Sequence, residues 1–154
     1  MANGRHKKKR RPVESVQIYS IPATYKDSCG GCHMSYGAYL LPRASWALIL
    51  NSLDNHFGAE VQLDATERDQ VADYLLSCSA DTGGSRIGGK ILRHAGPITP
   101  ERISTMPYIQ RKHRKINPAS FDIPEVGGIQ NCIACHPGAE DGVFDDDKAR
   151  IPRP

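Results

Sequence analysis

The string Cys-x-x-Cys-His occurs twice in this chain, as CGGCH from Cys29 to His33 and as CIACH from Cys132 to His136. No other feature of the 154 residues restricts the fold as tightly. Two thiols three positions apart on a helical turn can add across the two vinyl groups of one porphyrin. The histidine beside the second thiol is then held under the iron as its proximal ligand. Two copies predict two covalently attached c-type haems. Cys29, Cys32, Cys132 and Cys135 are the expected thioether anchors, and His33 and His136 the expected proximal ligands. A chain built this way does electron transfer or other redox chemistry.

Cysteine pairs of this spacing also clamp zinc or act as redox dithiols. Two pairs that share one zinc usually close a loop of a few tens of residues at most, whereas here about a hundred residues separate Cys32 from Cys132. Neither alternative requires a histidine directly after the second cysteine, and both copies have one. The fifth cysteine, Cys78, lies in YLLSCS without a partner at useful spacing. It reads as a packing residue or an inert thiol.

Composition agrees with a bound prosthetic group. Aromatic residues make up 6% of the chain, against 14 glycines and 11 prolines. That is a thin supply for a conventional core, and a large rigid apolar plate would supply what the side chains do not. Net charge is +3, but six cations sit between Arg5 and Arg11. Subtracting those six from +3 leaves the rest of the chain at −3, before any haem propionates are added. Such a basic run can bind nucleic acid or anionic lipid; the simpler reading, preferred here, is a solvated tail. Near the other end Glu140, Asp141, Asp145, Asp146 and Asp147 form an acidic stretch that can steer a basic partner or serve as a solvated turn. No run of 18 apolar residues exists, so no integral membrane segment is expected. No secretory apolar segment precedes the first motif. Bacterial haem attachment nevertheless takes place outside the cytoplasmic membrane, so the expected location is periplasmic or otherwise extracytoplasmic.

Local patterns predict helices and loops, with no strand alternation of any length. Trp46, Leu50 and Leu53 recur at helical spacing over about 43–54. Asp64-Ala65-Thr66-Glu67 is a capping-box start for a helix to about 77, with Val71, Ala72, Leu75 and Leu76 on one face. The segment SADTGGSRIGG reads as a loop or linker. Thr99-Pro100-Glu101 has the cap and first-turn proline of a helix start. Ile109, His113 and Ile116 then share a face. The expected fold class is mostly α: a small c-type cytochrome fold with an N-terminal cytochrome-c-like half, a shorter haem-wrapped C-terminal half, long loops and little or no β structure. The expected organisation is a disordered basic tail over 1–12, an N-terminal haem domain over 13–80, a glycine-rich linker over 81–95 and a C-terminal haem-binding segment over 96–154.

Four histidines remain for the opposite faces of the two irons: His6, His56, His94 and His113. His6 sits in the basic tail and is a weak candidate. Small monohaem cytochromes place the distal ligand in a loop just before the last amphipathic helix, and His56 stands at that point, where methionine is more usual. The plain alternative is a surface histidine at a helix end. For the second iron His113 is favoured over His94 and Met106. Met106 precedes Pro107, a common setting for an axial sulfur, and is otherwise a core residue. Arg43, Arg111, Lys112 and Arg114 are candidate propionate partners.

The segment CGGCHMSYGAYLLPRASWALILNSLDNHFG, with its CHMxY string, Leu-Pro step, Ser-Trp pair and DNHFG-like loop, resembles the soluble bacterial dihaem cytochrome c family. ITPERISTMPYIQRKHRKI is similar to that family's segment before its last haem motif. The resemblance covers roughly residues 18–145. It implies bis-histidine ligation of both irons, which falls on His33 with His56 and on His136 with His113. It further implies a periplasmic electron carrier that works with redox protein partners, a small haem protein or a membrane-bound cytochrome b among them. With all six positions filled and no thioether ligand, such haems are expected at low potential. The competing functional classes are a dihaem redox enzyme, peroxidase or small-molecule reductase, which needs one open or labile iron position, and a redox or gas sensor. Oligomeric state is not readable from these patterns.

Overall fold

The computed structural model of the chain describes residues 20–154; the basic tail and His6 lie outside them. The described residues are helical, with no strand and one isolated bridge between His56 and Ala59. Five α-helices follow in order: α1 (Ala23–Cys29), α2 (Arg43–Asn51), α3 (Ala65–Ser77), α4 (Arg86–Arg93) and α5 (Pro107–His113). Short 3-10 turns join them and form the whole of the regular structure after α5.

Each helix starts where its sequence permits. Pro22 and Pro42 stand in extended conformation at the N-caps of α1 and α2. At α3 the Asp64 carboxylate accepts from the Glu67 amide at 2.8 Å, while the Glu67 carboxylate accepts from the Asp64 amide at 3.0 Å, completing the expected capping box. Ser85 caps α4 through its hydroxyl, which accepts from Gly88 N–H at 3.1 Å.

α3 is the centre of the packing, with α1 and α2 against it. Tyr25, Tyr39, Trp46, Leu50, Tyr74 and Leu75 are all buried there. The aromatic polar groups stay satisfied: Trp46 Nε1 donates to Ala38 O at 2.7 Å, and the Tyr74 hydroxyl accepts from Ala38 N–H at 3.3 Å. Two arginines close helix ends from neighbouring elements. Arg68 donates to Leu50 O at 2.9 Å and Arg43 donates to Leu76 O at 2.7 Å.

Two local expectations change. The glycine-rich segment 79–89, read as a loop, contains the 3-10 turn Ala80–Thr82 and the first half of α4, and Ile91 of α4 is fully buried in the core. Its glycine serves close packing there: a Cβ on Gly88 would stand 3.1 Å from Ala80 Cα and 3.3 Å from Tyr39 O. The helix start expected at Thr99-Pro100-Glu101 lies later. α5 begins at Pro107 with Met106 as its N-cap, so the first-turn proline is Pro107.

Candidate haem-binding site

One continuous cavity of about 1620 Å³ runs through the described residues. That exceeds the roughly 300–1,000 Å³ of a pocket for one drug-sized ligand. Its apolar wall includes Leu40, Trp46, Leu50 and Leu75 from the core and Phe121 and Phe144 from the C-terminal turns. Cys29, Cys32, His33 and His56 line it, and so do Cys132, Cys135, His136 and His113. The structure thus gathers all eight sequence-predicted residues around one apolar space.

Within that space the histidines stand in pairs. The His33 and His56 ring centroids are 6.2 Å apart, and those of His113 and His136 are 6.1 Å apart. An imidazole–metal bond is about 2.0 Å long and the ring nitrogen lies about 1.1 Å from its centroid, so two imidazoles facing across one metal place their centroids roughly 6.2 Å apart. Both pairs therefore fit one metal ion between them, and neither fits a direct stack or hydrogen bond.

Proton placement agrees. His33 Nδ1 lies 2.8 Å from Met34 O, and His113 Nδ1 lies 2.8 Å from Ile109 O. A carbonyl oxygen only accepts, so Nδ1 carries the proton in each ring and Nε2 keeps its lone pair. His136 Nδ1 is buried without a partner. Burial is the main cause that lowers the pKa of His56, with His33 and Arg102 adding to it. Burial likewise lowers that of His136, helped by His113 and opposed by Asp146. Both shifts favour the neutral imidazole that a metal requires.

The remaining candidates fall elsewhere. Met106 is fully buried in the core and does not line the cavity. His94 caps the C-terminus of α4 with Nδ1 2.7 Å from Lys90 O, also away from the cavity wall. Among the described residues no three His, Cys, Asp or Glu side chains form a metal-holding group, which removes the geometry a shared zinc would need. Burial pushes the thiols of Cys29, Cys132 and Cys135 upward, the opposite of the lowered pKa that activates a redox dithiol. Cys78 packs against the core as expected.

Of the four candidate propionate partners, one lines the cavity. Arg43 is engaged with Leu76 O, and Arg111 lies over the Tyr108 ring at 5.7 Å. Neither they nor Arg114 line the cavity. Lys112 does, but it pairs with Asp146. The other cations on the wall are Lys90, Arg102, Lys115 and Arg153.

Three further features surround the site. His56 opens a tight turn: His56 N–H donates to Ala59 O at 2.6 Å, and Ala59 N–H donates back at 3.1 Å. Phe57 and Gly58 occupy the turn at φ of 54° and 94°. A left-handed phenylalanine is strained by roughly 1–2 kcal/mol, and the Arg102 guanidinium sits 4.0 Å above its ring. Tyr36 lies 4.9 Å from the His33 ring and donates its hydroxyl to Gln130 O at 2.6 Å. Near the C-terminus Arg150 N–H donates to Cys135 O at 2.8 Å, and Ile151, Pro152, Arg153 and Pro154 line the cavity.

The sequence matches the model of the family described as Dihaem cytochrome c over residues 25–144. No curated protein sequence is significantly similar to the chain. Among solved structures, a diheme cytochrome c from Rhodobacter sphaeroides is 36% identical with a TM-score of 0.72, over 82% of this chain and 99% of that one. A diheme cytochrome type c from Shewanella baltica OS155 is 35% identical with a TM-score of 0.70, over 86% of this chain and 95% of that one. Repeated attachment strings, facing imidazole pairs, a shared apolar cavity and this likeness lead to one conclusion: the chain belongs to the dihaem cytochrome c family and carries two covalently bound haem c groups.

Proposed function

We propose that the protein is an electron carrier with two low-potential bis-histidine haems and no substrate of its own. Cys29 and Cys32 anchor the first group, and His33 and His56 are its axial ligands. Cys132 and Cys135 anchor the second, and His136 and His113 are its axial ligands. The single observation that carries this reading is the pairing of imidazoles at 6.2 and 6.1 Å across the cavity. Each haem iron, when bound, supplies a one-electron couple.

The chain's own residues do the rest. Met34 O and Ile109 O orient His33 and His113 so that Nε2 faces the cavity. Two imidazoles leave no coordination position for an exogenous molecule, which disfavours the peroxidase, reductase and gas-sensor readings. Core residues such as Leu50 and Leu75 exclude water from the cavity wall. Lys90, Arg102, Lys115 and Arg153 offer positive charge to carboxylates inside it. Imidazole in place of a thioether keeps both potentials low, below the standard hydrogen reference. No helix among the described residues is long and apolar enough to cross a membrane. The functional setting is extracytoplasmic, where the partners are other redox proteins, a small haem protein or a membrane cytochrome b.

Low-temperature EPR of the oxidised holoprotein tests the assignment. Two low-spin bis-imidazole signals are expected. His56→Met and His113→Met should each abolish one signal and raise one potential by on the order of 0.1 V, within the ~0.8 V range that axial ligands span. Rapid carbon monoxide binding to one haem of the reduced wild type would instead favour the enzyme or sensor.

A further inference from the structure

The two attachment turns are far apart in sequence and are joined in space by one side chain. Tyr36 is the third residue after His33. Its ring centroid lies 4.9 Å from that of His33, with the planes tilted by 32°. Its hydroxyl donates to Gln130 O at 2.6 Å. The same carbonyl oxygen accepts from Cys132 N–H at 3.1 Å and lies 3.6 Å from Cys132 Sγ. One phenol therefore touches the proximal imidazole of the first site and the backbone carbonyl two residues before the first anchor of the second.

Tyr36 is itself held. Its carbonyl oxygen accepts from the Tyr25 hydroxyl at 2.8 Å, and the buried Tyr25 ring lies 5.1 Å from that of Tyr74. Burial, with Cys132 close by, pushes the Tyr36 phenol up to about 12, so it remains a donor at any physiological pH. The turn it reaches has little anchorage of its own. Val126 and Ala139, the buried apolar residues on either side of CIACH, lie outside the main core.

We propose that Tyr36 is a positioning residue that clasps the two attachment turns together. Its ring fixes the proximal imidazole of the first site, and its hydroxyl fixes the second turn relative to the first. The clasp sets how the two centres lie with respect to each other, and Tyr36 itself is neither oxidised nor deprotonated. The inference rests on the assignment of both motifs as haem-attachment turns.

Holoprotein carrying Tyr36→Phe and Tyr36→Leu separates the two roles. The phenylalanine keeps the ring and loses the hydroxyl. Loss of one hydrogen bond of ordinary net strength shifts a local opening equilibrium about fivefold. The amides of Cys135 and His136, both bonded to Cys132 O, should exchange about fivefold faster in Tyr36→Phe. The Gly30 amide, bonded to Lys26 O, should keep its wild-type rate. In a redox titration Tyr36→Phe should move the second midpoint and leave the first, whereas Tyr36→Leu should move both. A Tyr36→Phe protein with wild-type exchange at Cys135 and His136 and two unmoved midpoints overturns the proposal. If neither variant accumulates as holoprotein, Tyr25→Phe carries the test, because it releases the Tyr36 backbone. It should accelerate the same two amides by a smaller factor, and unchanged rates there overturn the proposal as well. EPR of the wild type keeps the two failures distinct. Absence of two bis-imidazole signals sinks the ligand assignment, whereas their presence beside a silent Tyr36→Phe sinks the clasp alone.

Discussion

Around CGGCH, α1 and α2 pack on α3, and the cavity wall is formed by buried core residues such as Trp46, Leu50 and Leu75. Around CIACH the chain has no α-helix after His113, and its regular structure is a series of three-residue 3-10 turns. The main core runs from Tyr25 to Tyr108, and none of its fully buried members comes from the residues after Tyr108. The same five-residue string thus sits on two different foundations. The first turn rests on a core of packed helices whose buried side chains also form the cavity wall. The second is held by tethers: Tyr36 to Gln130, Arg150 to Cys135 and Lys112 to Asp146. A c-type motif needs local helical geometry and a facing ligand, and it does not need a helical domain around it.

The largest test of this contrast removes the anchors. A Cys132→Ser/Cys135→Ser double variant should retain most of the helical circular dichroism, because α1 to α4 lie in the first region. A Cys29→Ser/Cys32→Ser double variant should lose most of it, and equal losses in the two would break the comparison. Core truncations come next in size. Met106→Ala, at a fully buried site in the main core, should cost about 2–5 kcal/mol in denaturant unfolding of the holoprotein. Val126→Ala, buried outside that core, should cost only about 1–2 kcal/mol. Asp64→Ala removes the carboxylate half of the α3 capping box and should cost about 1 kcal/mol, read from the same unfolding curves. The smallest effect belongs to Arg102→Ala. It removes the cation over Phe57, worth about 0.5–1 kcal/mol at an exposed site, and should move the first midpoint potential more than the second.

The chemistry of the site was legible because covalent attachment needs a fixed string of residues, and each string names two anchors and a ligand. His56 and His113 were legible in part, from their places before α3 and on an apolar helix face. His113, His94 and Met106 lie within twenty residues of one another, and sequence patterns do not reveal that only His113 lines the cavity. α3 was predicted from its own capping residues. α4 was missed because paired glycines suggest flexibility, whereas here Gly88 permits close contact with Ala80 and Tyr39. The Ile87–Ile91 spacing was the signal that could have found it. α1 was missed because seven residues are too few for a periodicity to emerge. The candidate cations were chosen by their nearness to a ligand in sequence, and of Arg43, Arg111, Lys112 and Arg114 only Lys112 lines the cavity.

Arg150 bonded to Cys135 closes a ring of backbone behind the second attachment turn, beyond the matched residues 25–144. Residues 151–154 are thereby laid against the cavity, so trimming the chain after Ala149 would strip one side from that wall and open its interior to water.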